Sequence, residues 1–233
     1  MSYCCGISEI GNIRKFNEDA FLINNIVLSH SQIESKVIPP FIVAVADGVG
    51  GENNGAKASH LSLELSNIKY TSKTNLNKKI LDIHQNIRSY GMNHPDSLNM
   101  QTTLCALAVD ENGEASFVNI GDSRMYRMHN GKLTQITKDQ SLVQLLVDLG
   151  EISSDEIEKH KQKHVILSSL GNVEQVPEPQ IEHIGKLNSD EIILICSDGL
   201  SDAVSSEEIC SVLSKNHSLR KKLSELISLA IKN

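Results

Sequence analysis

Two consecutive β-hairpins predicted near the middle of the chain constrain its fold more than any other sequence feature. Four short segments are joined in pairs by turns that contain Asn112-Gly113 and Asn130-Gly131, and Asn-Gly is a strong signal for a tight hairpin turn. The segments are residues 103–109, 114–120, 124–128 and 132–136. Strands joined by tight turns run antiparallel, so this pattern excludes a doubly wound parallel sheet.

Helix and strand signals alternate along the rest of the chain without an internal repeat. The spacing of apolar residues predicts helices over 55–69, 75–90, 140–149 and 219–232. Apolar runs predict strands over 20–28, 36–46 and 191–196. Ser153 with Glu156 and Ser205 with Glu208 form capping boxes that begin two further helices, and 164–190 is expected to be irregular. The pattern predicts an α+β fold in which helices cover antiparallel sheets.

Composition and charge narrow the range of partners. The chain has 233 residues, with 22 Lys and Arg against 29 Asp and Glu, and a net charge of −7. Because no basic run is long enough to follow a phosphate backbone, the sequence predicts no nucleic-acid partner. No apolar run approaches a membrane span and the first residues lack a leader pattern, so we expect no membrane partner, a cytoplasmic location and a monomer. The five cysteines show no zinc spacing and are expected to be reduced.

Carboxylates collect where predicted strands end. Asp47, Asp122 and Asp198 each follow an apolar segment and stand beside a glycine, and Glu18-Asp19 is a fourth acidic site. Without a matching cluster of Lys or Arg these groups would repel one another unless hard cations lie between them. One Asp-Gly pair is usually an ordinary turn, but three acidic sites at strand ends favour a metal centre. All-oxygen ligands predict magnesium or manganese and not zinc.

Three further motifs allow other interpretations. Arg14 on its own would be taken for a surface residue, but its position five residues before Asp19 makes it a candidate for binding a phosphate through its planar guanidinium. The glycine-rich stretch 48–55 lacks the Gly-Lys-Ser/Thr ending of a nucleotide-binding P-loop. His160 and His164 stand four residues apart but lack the intervening Glu and third ligand of a zinc site, so they are expected to face solvent or substrate.

Six segments together carry a more specific pattern. They are residues 11–20 (GNIRKFNEDA), 45–51 (VADGVGG), 101–104 (QTTL), 121–127 (GDSRMYR), 137–144 (TKDQSLVQ) and 196–202 (CSDGLSD). In order and spacing they resemble the metal-dependent protein serine/threonine phosphatases of the 2C type, in their bacterial form. The resemblance implies one phosphatase domain over residues 1–233, built as a four-layer α-β-β-α sandwich of two antiparallel sheets flanked by helices.

The resemblance also implies a binuclear Mn²⁺ or Mg²⁺ centre at one end of the sandwich. Asp47 would bridge the two ions, the carbonyl of Gly48 would bind the first ion, and Asp198 would bind the second. Glu18 and Asp19 would hold metal-bound waters. Two such ions can acidify a bridging water and orient it for in-line attack on phosphorus.

Other residues take substrate-facing roles by the same resemblance. Asp122, with Asp198, would bind a third and weaker metal, and Arg14 would anchor the phosphate. Residues 139–165 correspond to a mobile flap beside the substrate groove, and His160 falls within it. The implied substrates are phosphoserine and phosphothreonine in proteins phosphorylated by a Ser/Thr kinase.

Two departures from the family pattern qualify this expectation. Val49 stands where many eukaryotic members carry a proton-donating histidine, so the general acid is not identified. Family members follow the last helix with a strand whose aspartate binds the second metal, and the sequence to Asn233 does not contain it. We therefore expect weak binding of the second metal, poor turnover and association through an open sheet edge, unless Asp202 or Glu18 replaces that aspartate. The alternative is a catalytically impaired pseudophosphatase that binds phosphoproteins.

Overall fold

The structure is a computed structural model that describes residues 1–12, 14–49 and 53–233. Ile13, Gly50 and Gly51, which belong to two of the six segments, lie outside the described residues. The strands are β1 (Ser2–Ile7), β2 (Asp19–Ile23), β3 (Ile26–Leu28), β4 (Gln32–Val37), β5 (Phe41–Val49), β6 (Gln101–Thr102), β7 (Leu104–Val109), β8 (Glu114–Ile120), β9 (Arg124–His129), β10 (Lys132–Gln135), β11 (Gln180–Lys186) and β12 (Ile192–Cys196). The helices are α1 (Asn53–Ser66), α2 (Leu76–Asn93), α3 (Leu142–Asp148), α4 (Asp198–Ser201), α5 (Ser206–Ser214) and α6 (Leu219–Lys232), with 3₁₀ helices at Pro95–Ser97 and Ser154–Lys159.

A large antiparallel sheet lies at the centre of the molecule, with strand order β11-β8-β7-β5-β2-β3 and β6 paired to β5. Its strands alternate apolar side chains between two faces, as period-2 geometry requires. One face packs against α1 and α2 in a cluster that includes Ala44, Leu63 and Ile83. The opposite face carries Leu107 and Phe117 into a second cluster.

That second cluster lies between the large sheet and a three-stranded antiparallel sheet of order β10-β9-β12. The outer face of the three-stranded sheet packs against α5 and α6 through Leu194, Ile209 and Leu226. The layers are therefore helix, sheet, sheet and helix, which confirms the predicted α-β-β-α sandwich. Strands β1 and β4 pair with each other in a separate two-stranded sheet.

Most predicted elements are present, with four corrections. The predicted strand 36–46 is divided between the end of β4 and most of β5, and β5 continues to Val49, so that Asp47 lies within a strand. The predicted strand 20–28 is a hairpin of β2 and β3, because Asn24 and Asn25 adopt positive φ angles of 50° and 66°. The expectation of an irregular segment over 164–190 was wrong in part, since β11 pairs with β8 along its whole length. Strand β1 was not predicted.

Two expectations from composition can be compared with the structure. All five cysteines are free thiols, as expected. Within the described residues, none of the helices has the length and apolar character needed to cross a membrane.

Candidate metal centre

Asp47 and Asp19 face each other across neighbouring strands of the large sheet. They are paired in the register of β5 and β2, so the fold brings their side chains together although 28 positions of sequence separate them. The backbone of Asp47 is held by two threonines. Its N–H donates to Thr103 Oγ1 at 2.9 Å, and its carbonyl accepts from Thr103 N at 2.8 Å and from Thr102 Oγ1 at 2.9 Å. These bonds fix the direction of the Asp47 side chain and leave its carboxylate free.

The third carboxylate, that of Asp198, follows the last strand of the three-stranded sheet. Strand β12 ends at Cys196, and Asp198 is the first residue of α4. Between them, Ser197 Oγ donates a hydrogen bond of 2.6 Å to Asp19 Oδ2, which ties the end of β12 to the start of β2. The carboxylates of Asp19, Asp47 and Asp198 thus meet where the two sheets approach each other.

Burial and crowding raise the pKa values of two of these carboxyl groups. Burial, followed by the neighbouring charges of Asp19 and Asp198, raises the pKa of Asp47 well above its usual range. Burial also raises the pKa of Asp19, against the lowering effect of the Ser197 hydroxyl. Raised carboxyl pKa values mean that the cluster resists carrying its full negative charge without a cation.

Glu18 contributes a buried oxygen without a partner. Its Oε1 atom is buried and has no hydrogen bond, and burial raises the pKa of its carboxyl group. The backbone at this point is tightly packed, since a Cβ added to Gly55 would overlap Glu18 Oε1 and a Cβ added to Gly48 would overlap the Gly55 carbonyl. Only glycines let β5 and the start of α1 approach Glu18 this closely.

Arg14 is exposed at the rim of the same acidic group. Its positive charge lowers the pKa of both Glu18 and Asp19, although burial outweighs this effect at each. Arg14 lines a large cavity together with Glu18, Asp19, Asp47 and Asp198. An exposed guanidinium beside buried carboxylates is placed to contact an anion that reaches the cluster from solvent.

Asp122 lies in the turn between β8 and β9, and the structure brings it near Asp198. It is only 9% exposed, and its Oδ1 atom is buried without a hydrogen-bond partner. Burial, then the charge of Asp198, raises its pKa from 3.8 to about 7. This carboxyl group therefore has a buried oxygen that is free to bind a cation.

A cavity of about 290 Å³ adjoins this group, and its lining combines Asp122 and Asp198 with His164, which had no expected metal role. The possible ligand atoms of His164, Asp198 and Asp202 lie within 4.8 Å of one another. His160 does not line this cavity, whereas His164, four residues later, does. The role of His160 in the flap stays a prediction, and His164 takes the place beside the acidic cluster.

A neighbouring ion pair shapes the wall of this cavity. Arg124 donates to both carboxylate oxygens of Asp139, with the closest contact at 2.6 Å, and both side chains are largely buried. Because its charge is matched in this way, Asp139 lines the cavity without adding an unpaired negative charge. Neither residue was given a role by the sequence analysis, since the pairing joins β9 to the segment before α3.

The residues present fit a site for hard divalent cations. The donors are carboxylate and carbonyl oxygens, and buried side-chain oxygens of Glu18 and Asp122 lack partners. Burial, and then the charge of neighbouring carboxylates, raises the pKa values of Asp47 and Asp122. Magnesium and manganese prefer such ligands, and the thiols of Cys105 and Cys196 are buried in strands away from this role.

Comparison with known proteins places this arrangement in a family. The sequence profile of the family "Protein phosphatase 2C" matches residues 15–228. The chain is 32% identical over 233 residues to the serine/threonine phosphatase stp of Listeria welshimeri, covering 96% of this chain and 87% of that protein. It is 35% identical over 178 residues to the serine/threonine protein phosphatase PstP of Mycobacterium tuberculosis, covering 74% of this chain and 34% of that protein.

Solved structures agree with the sequence matches. The crystal structure of the Mycobacterium tuberculosis phosphatase PstP/Ppp superposes with a TM-score of 0.82 at 30% identity, covering 99% of this chain and 92% of that chain. A structure of the catalytic domain of PstP in complex with two manganese ions gives a TM-score of 0.78 at 30% identity, covering 99% and 91%. The fold, the six segments and the clustered carboxylates have one common explanation: this chain belongs to the protein phosphatase 2C family.

Proposed function

We propose that this protein hydrolyses phosphoserine and phosphothreonine in other proteins and depends on Mn²⁺ or Mg²⁺. The observation that carries the proposal is the meeting of Asp19, Asp47 and Asp198 at the junction of the two sheets, with raised pKa values at Asp19 and Asp47. Membership of the protein phosphatase 2C family and the manganese complex of a similar structure support it.

In this proposal, one group of residues would bind the ions and another residue would bind the phosphate. Asp47 and Asp198 would hold two divalent ions with the Gly48 carbonyl, and Asp122 would help to hold a third. Bound ions would supply the positive charge that activates water and offsets the phosphoryl oxygens. Arg14 would bind the phosphate monoester from the solvent side, because its guanidinium offers paired donors in a plane.

A covalent phosphoenzyme is not part of this proposal. The nearest thiol in the sequence, Cys196, is buried, and burial raises its pKa to about 12. A thiol with that pKa is protonated near neutral pH and is a poor nucleophile. The hydroxyl of Ser197 donates to Asp19 at 2.6 Å, and because the proposal gives that carboxylate to the metal centre, it assigns Ser197 no activating base. Direct attack by water is the route that fits these side chains.

The natural substrates would be cytoplasmic proteins phosphorylated by a Ser/Thr kinase, and residues 1–233 would act as one phosphatase domain. The relatives named as serine/threonine phosphatases support this substrate class. The exposed rim around Arg14 gives a phosphorylated side chain access to the cluster from solvent.

Phosphate release from a phosphothreonine peptide tests the proposal. We expect turnover with Mn²⁺ or Mg²⁺, none in excess EDTA, and little with a matched phosphotyrosine peptide. Asp47→Asn should abolish activity and tight Mn²⁺ binding, whereas Asp82→Asn, an exposed substitution on α2, should change neither. Undiminished turnover in EDTA would overturn the metal-dependent mechanism. Tight phosphopeptide binding without turnover would instead support the alternative of a phosphoprotein-binding module.

A further inference from the structure

A histidine buried outside the metal centre makes a contact that the proposed phosphatase chemistry does not use. His84 lies in α2 and is only 1% exposed, and the same helix buries Ile80, Ile83 and Ile87. A polar ring in such apolar surroundings costs free energy unless it forms a hydrogen bond. A buried imidazole at this position therefore indicates a specific partner.

The partner of His84 is the main chain of a distant segment. Its Nδ1 atom accepts a hydrogen bond of 3.2 Å from the backbone N–H of Gly171. A ring nitrogen that accepts a hydrogen bond carries no proton, so the imidazole is neutral and its proton lies on Nε2. Burial, followed by the charge of Arg88, lowers the pKa of His84 below its ordinary value. The ring therefore stays neutral and keeps its acceptor at neutral pH.

A second side chain of α2 holds the same turn. Arg88 stands four residues after His84 and thus on the same side of the helix. Its Nη2 atom donates a hydrogen bond of 3.2 Å to the carbonyl of Val173. Gly171 is also closely packed, since it has a φ of 85° and a Cβ added there would overlap the backbone just before β6. Helix α2 therefore holds the turn at residues 171–173 through two side chains.

Backbone pairing joins this turn to the metal centre. Leu170, next to Gly171, exchanges two hydrogen bonds with Thr102, at 2.8 Å from Leu170 N and at 3.1 Å from Thr102 N. Thr102 donates from Oγ1 to the carbonyl of Asp47 at 2.9 Å, and it is paired with Gly48 in the register of β6 and β5. A short path of hydrogen bonds and one peptide link thus leads from α2 to the two residues predicted to bind the first ion.

The middle of this path is shielded from water. Leu170 and Thr102 are both fully buried. Because a buried N–H or C=O group cannot exchange its partner for water, the loss of one hydrogen bond is costly unless the neighbouring groups move. A displacement of Gly171 would therefore be transmitted to the backbone of β5.

We propose that His84, assisted by Arg88, is a positioning residue for the metal centre. By accepting its backbone hydrogen bond, His84 would hold the turn against Thr102. Thr102 would in turn hold the backbone of Asp47 and Gly48 in the geometry that binds ions. His84 contacts neither ion nor substrate in this role. The inference rests on the proposed metal-dependent function, and it makes the ion affinity depend on a helix to which that function assigns no ligand.

Two variants of nearly equal size test the proposal. In His84→Asn, the amide oxygen can take the place of Nδ1 and accept from Gly171, whereas His84→Leu has the same branched shape and no acceptor. Each variant leaves one buried donor unpaired, the side-chain NH₂ in the first and the Gly171 N–H in the second. We therefore expect similar free energies of unfolding in EDTA, measured by urea denaturation. A difference in metal binding between the two would then report the hydrogen bond and not general stability.

Hydrogen exchange in EDTA measures the positioning itself. We expect His84→Leu to speed amide exchange at Leu170 and at the end of β5 by at least about tenfold, because the affected segment holds these amides. His84→Asn should exchange at close to the wild-type rate, and β3 should be unchanged in both. Equal exchange at Leu170 in the two variants would overturn the proposal. Because no metal is present, this result stands even if the wild type does not bind Mn²⁺, an outcome that would contradict the proposed function instead.

Calorimetric titration with Mn²⁺ measures the consequence for the metal centre. We expect His84→Leu to weaken binding about 10-fold to 100-fold, as the loss of an outer contact to a ligand typically does. His84→Asn should bind nearly as the wild type does. Gln85→Leu, an exposed substitution beside it on α2, should change nothing. Equally weak binding by both His84 variants, or wild-type affinity in both, would overturn the positioning role.

Arg88→Met tests the same path at a partly exposed position, where folding depends less on the side chain. It removes the second contact to the turn and should speed exchange at Leu170 and weaken Mn²⁺ binding, both by a smaller factor than His84→Leu. This variant decides the matter if substitution of His84 prevents folding. Wild-type exchange at Leu170 in Arg88→Met would then overturn the proposal, because the contacts from α2 would not set the position of the turn.

Discussion

Asp122 shows how burial of a single carboxyl group links the stability of the fold to pH. Its pKa is raised from 3.8 to about 7, chiefly by burial. A group whose pKa is higher in the folded state destabilises that state once it ionises. The stabilising contribution is complete below about pH 4 and is lost as the pH rises through 7.

This gives a prediction for the metal-free protein. In EDTA, Asp122→Asn should raise the free energy of unfolding at pH 8 by on the order of 2–4 kcal/mol, because one pKa unit corresponds to about 1.4 kcal/mol. At pH 4 the same substitution should have little effect, since the carboxyl is neutral in both states. Urea denaturation at the two pH values measures this, with Asp82→Asn as the exposed control. An equal effect at both pH values would show that ionisation of Asp122 is not the cause.

Arg14 carries the second prediction at this scale. If it binds the phosphate, Arg14→Ala should raise the Michaelis constant for a phosphopeptide about 10-fold to 100-fold, because a charge-assisted hydrogen bond contributes about 1.5–3 kcal/mol. The affinity for Mn²⁺ should hardly change. Calorimetric titration and steady-state kinetics separate the two effects, and Lys15→Ala, its exposed neighbour, is the matched control. Unaltered kinetics would contradict this role and would indicate that Arg14 is an ordinary surface residue.

The sequence identifies the acidic residues, but it does not identify the residues that hydrogen-bond to them. Asp47, Asp122 and Asp198 stand out because a strand pattern ends at each one. The hydrogen bonds from Thr103 to Asp47 and from Ser197 to Asp19 join positions far apart in the chain. Such contacts depend on strand pairing and sheet packing, which local pattern does not specify.

At the scale of elements, the close approach of β5 and α1 decides how Glu18 is placed. Gly55 lies in the first turns of α1, where alanine would ordinarily stabilise a helix by about 1 kcal/mol. Here a Cβ would overlap Glu18 Oε1 and crowd the Gly48 carbonyl. Local helix propensity and the geometry of the site therefore oppose each other at this position.

The prediction is that Gly55→Ala weakens Mn²⁺ binding by at least about tenfold, because two predicted ligand-bearing residues must shift. His60→Ala, at a partly exposed position of the same helix, should leave the affinity unchanged. Calorimetric titration measures the binding, and circular dichroism of both variants checks that the helix is intact. Wild-type affinity in Gly55→Ala would show that Glu18 and Gly48 are not close to the ions.

Elements with strong periodicity were predicted well, and weakly patterned edge strands were not. Helix α2 was expected over 75–90 and spans Leu76–Asn93, since its apolar residues recur on one face. Strand β11 escaped prediction because QIEHIGK mixes polar and apolar residues around an irregularity at Gly185. Strand β1 gave little signal because small residues and cysteines replace the usual branched apolar ones.

At the scale of the molecule, the carboxylates lie at the junction of the large sheet and the three-stranded sheet. Asp19 and Asp47 belong to the large sheet, and Asp198 follows the last strand of the three-stranded sheet. Without a cation their mutual repulsion acts to separate the sheets at this end. A bound ion would turn that repulsion into attraction.

We therefore predict that Mn²⁺ slows amide exchange at the ends of both β5 and β12 together, and slows exchange least in β3 and β10. Asp198→Asn should remove the joint effect, and Asp82→Asn should preserve it. Hydrogen exchange followed by mass spectrometry, with and without Mn²⁺, makes the measurement. Protection confined to β5 would mean that the ion contacts the large sheet alone.

The carboxylates of the proposed metal site belong to two sheets. The distance between the sheets therefore affects the distance between the carboxylates. Phe117 is fully buried between the sheets, and the volume of its side chain helps to set the distance between them. The distance across the proposed ion site would thus depend on side-chain volumes in the interior as well as on the proposed ligands. Natural variation at such interior positions could tune metal preference in this family without any change to a ligand.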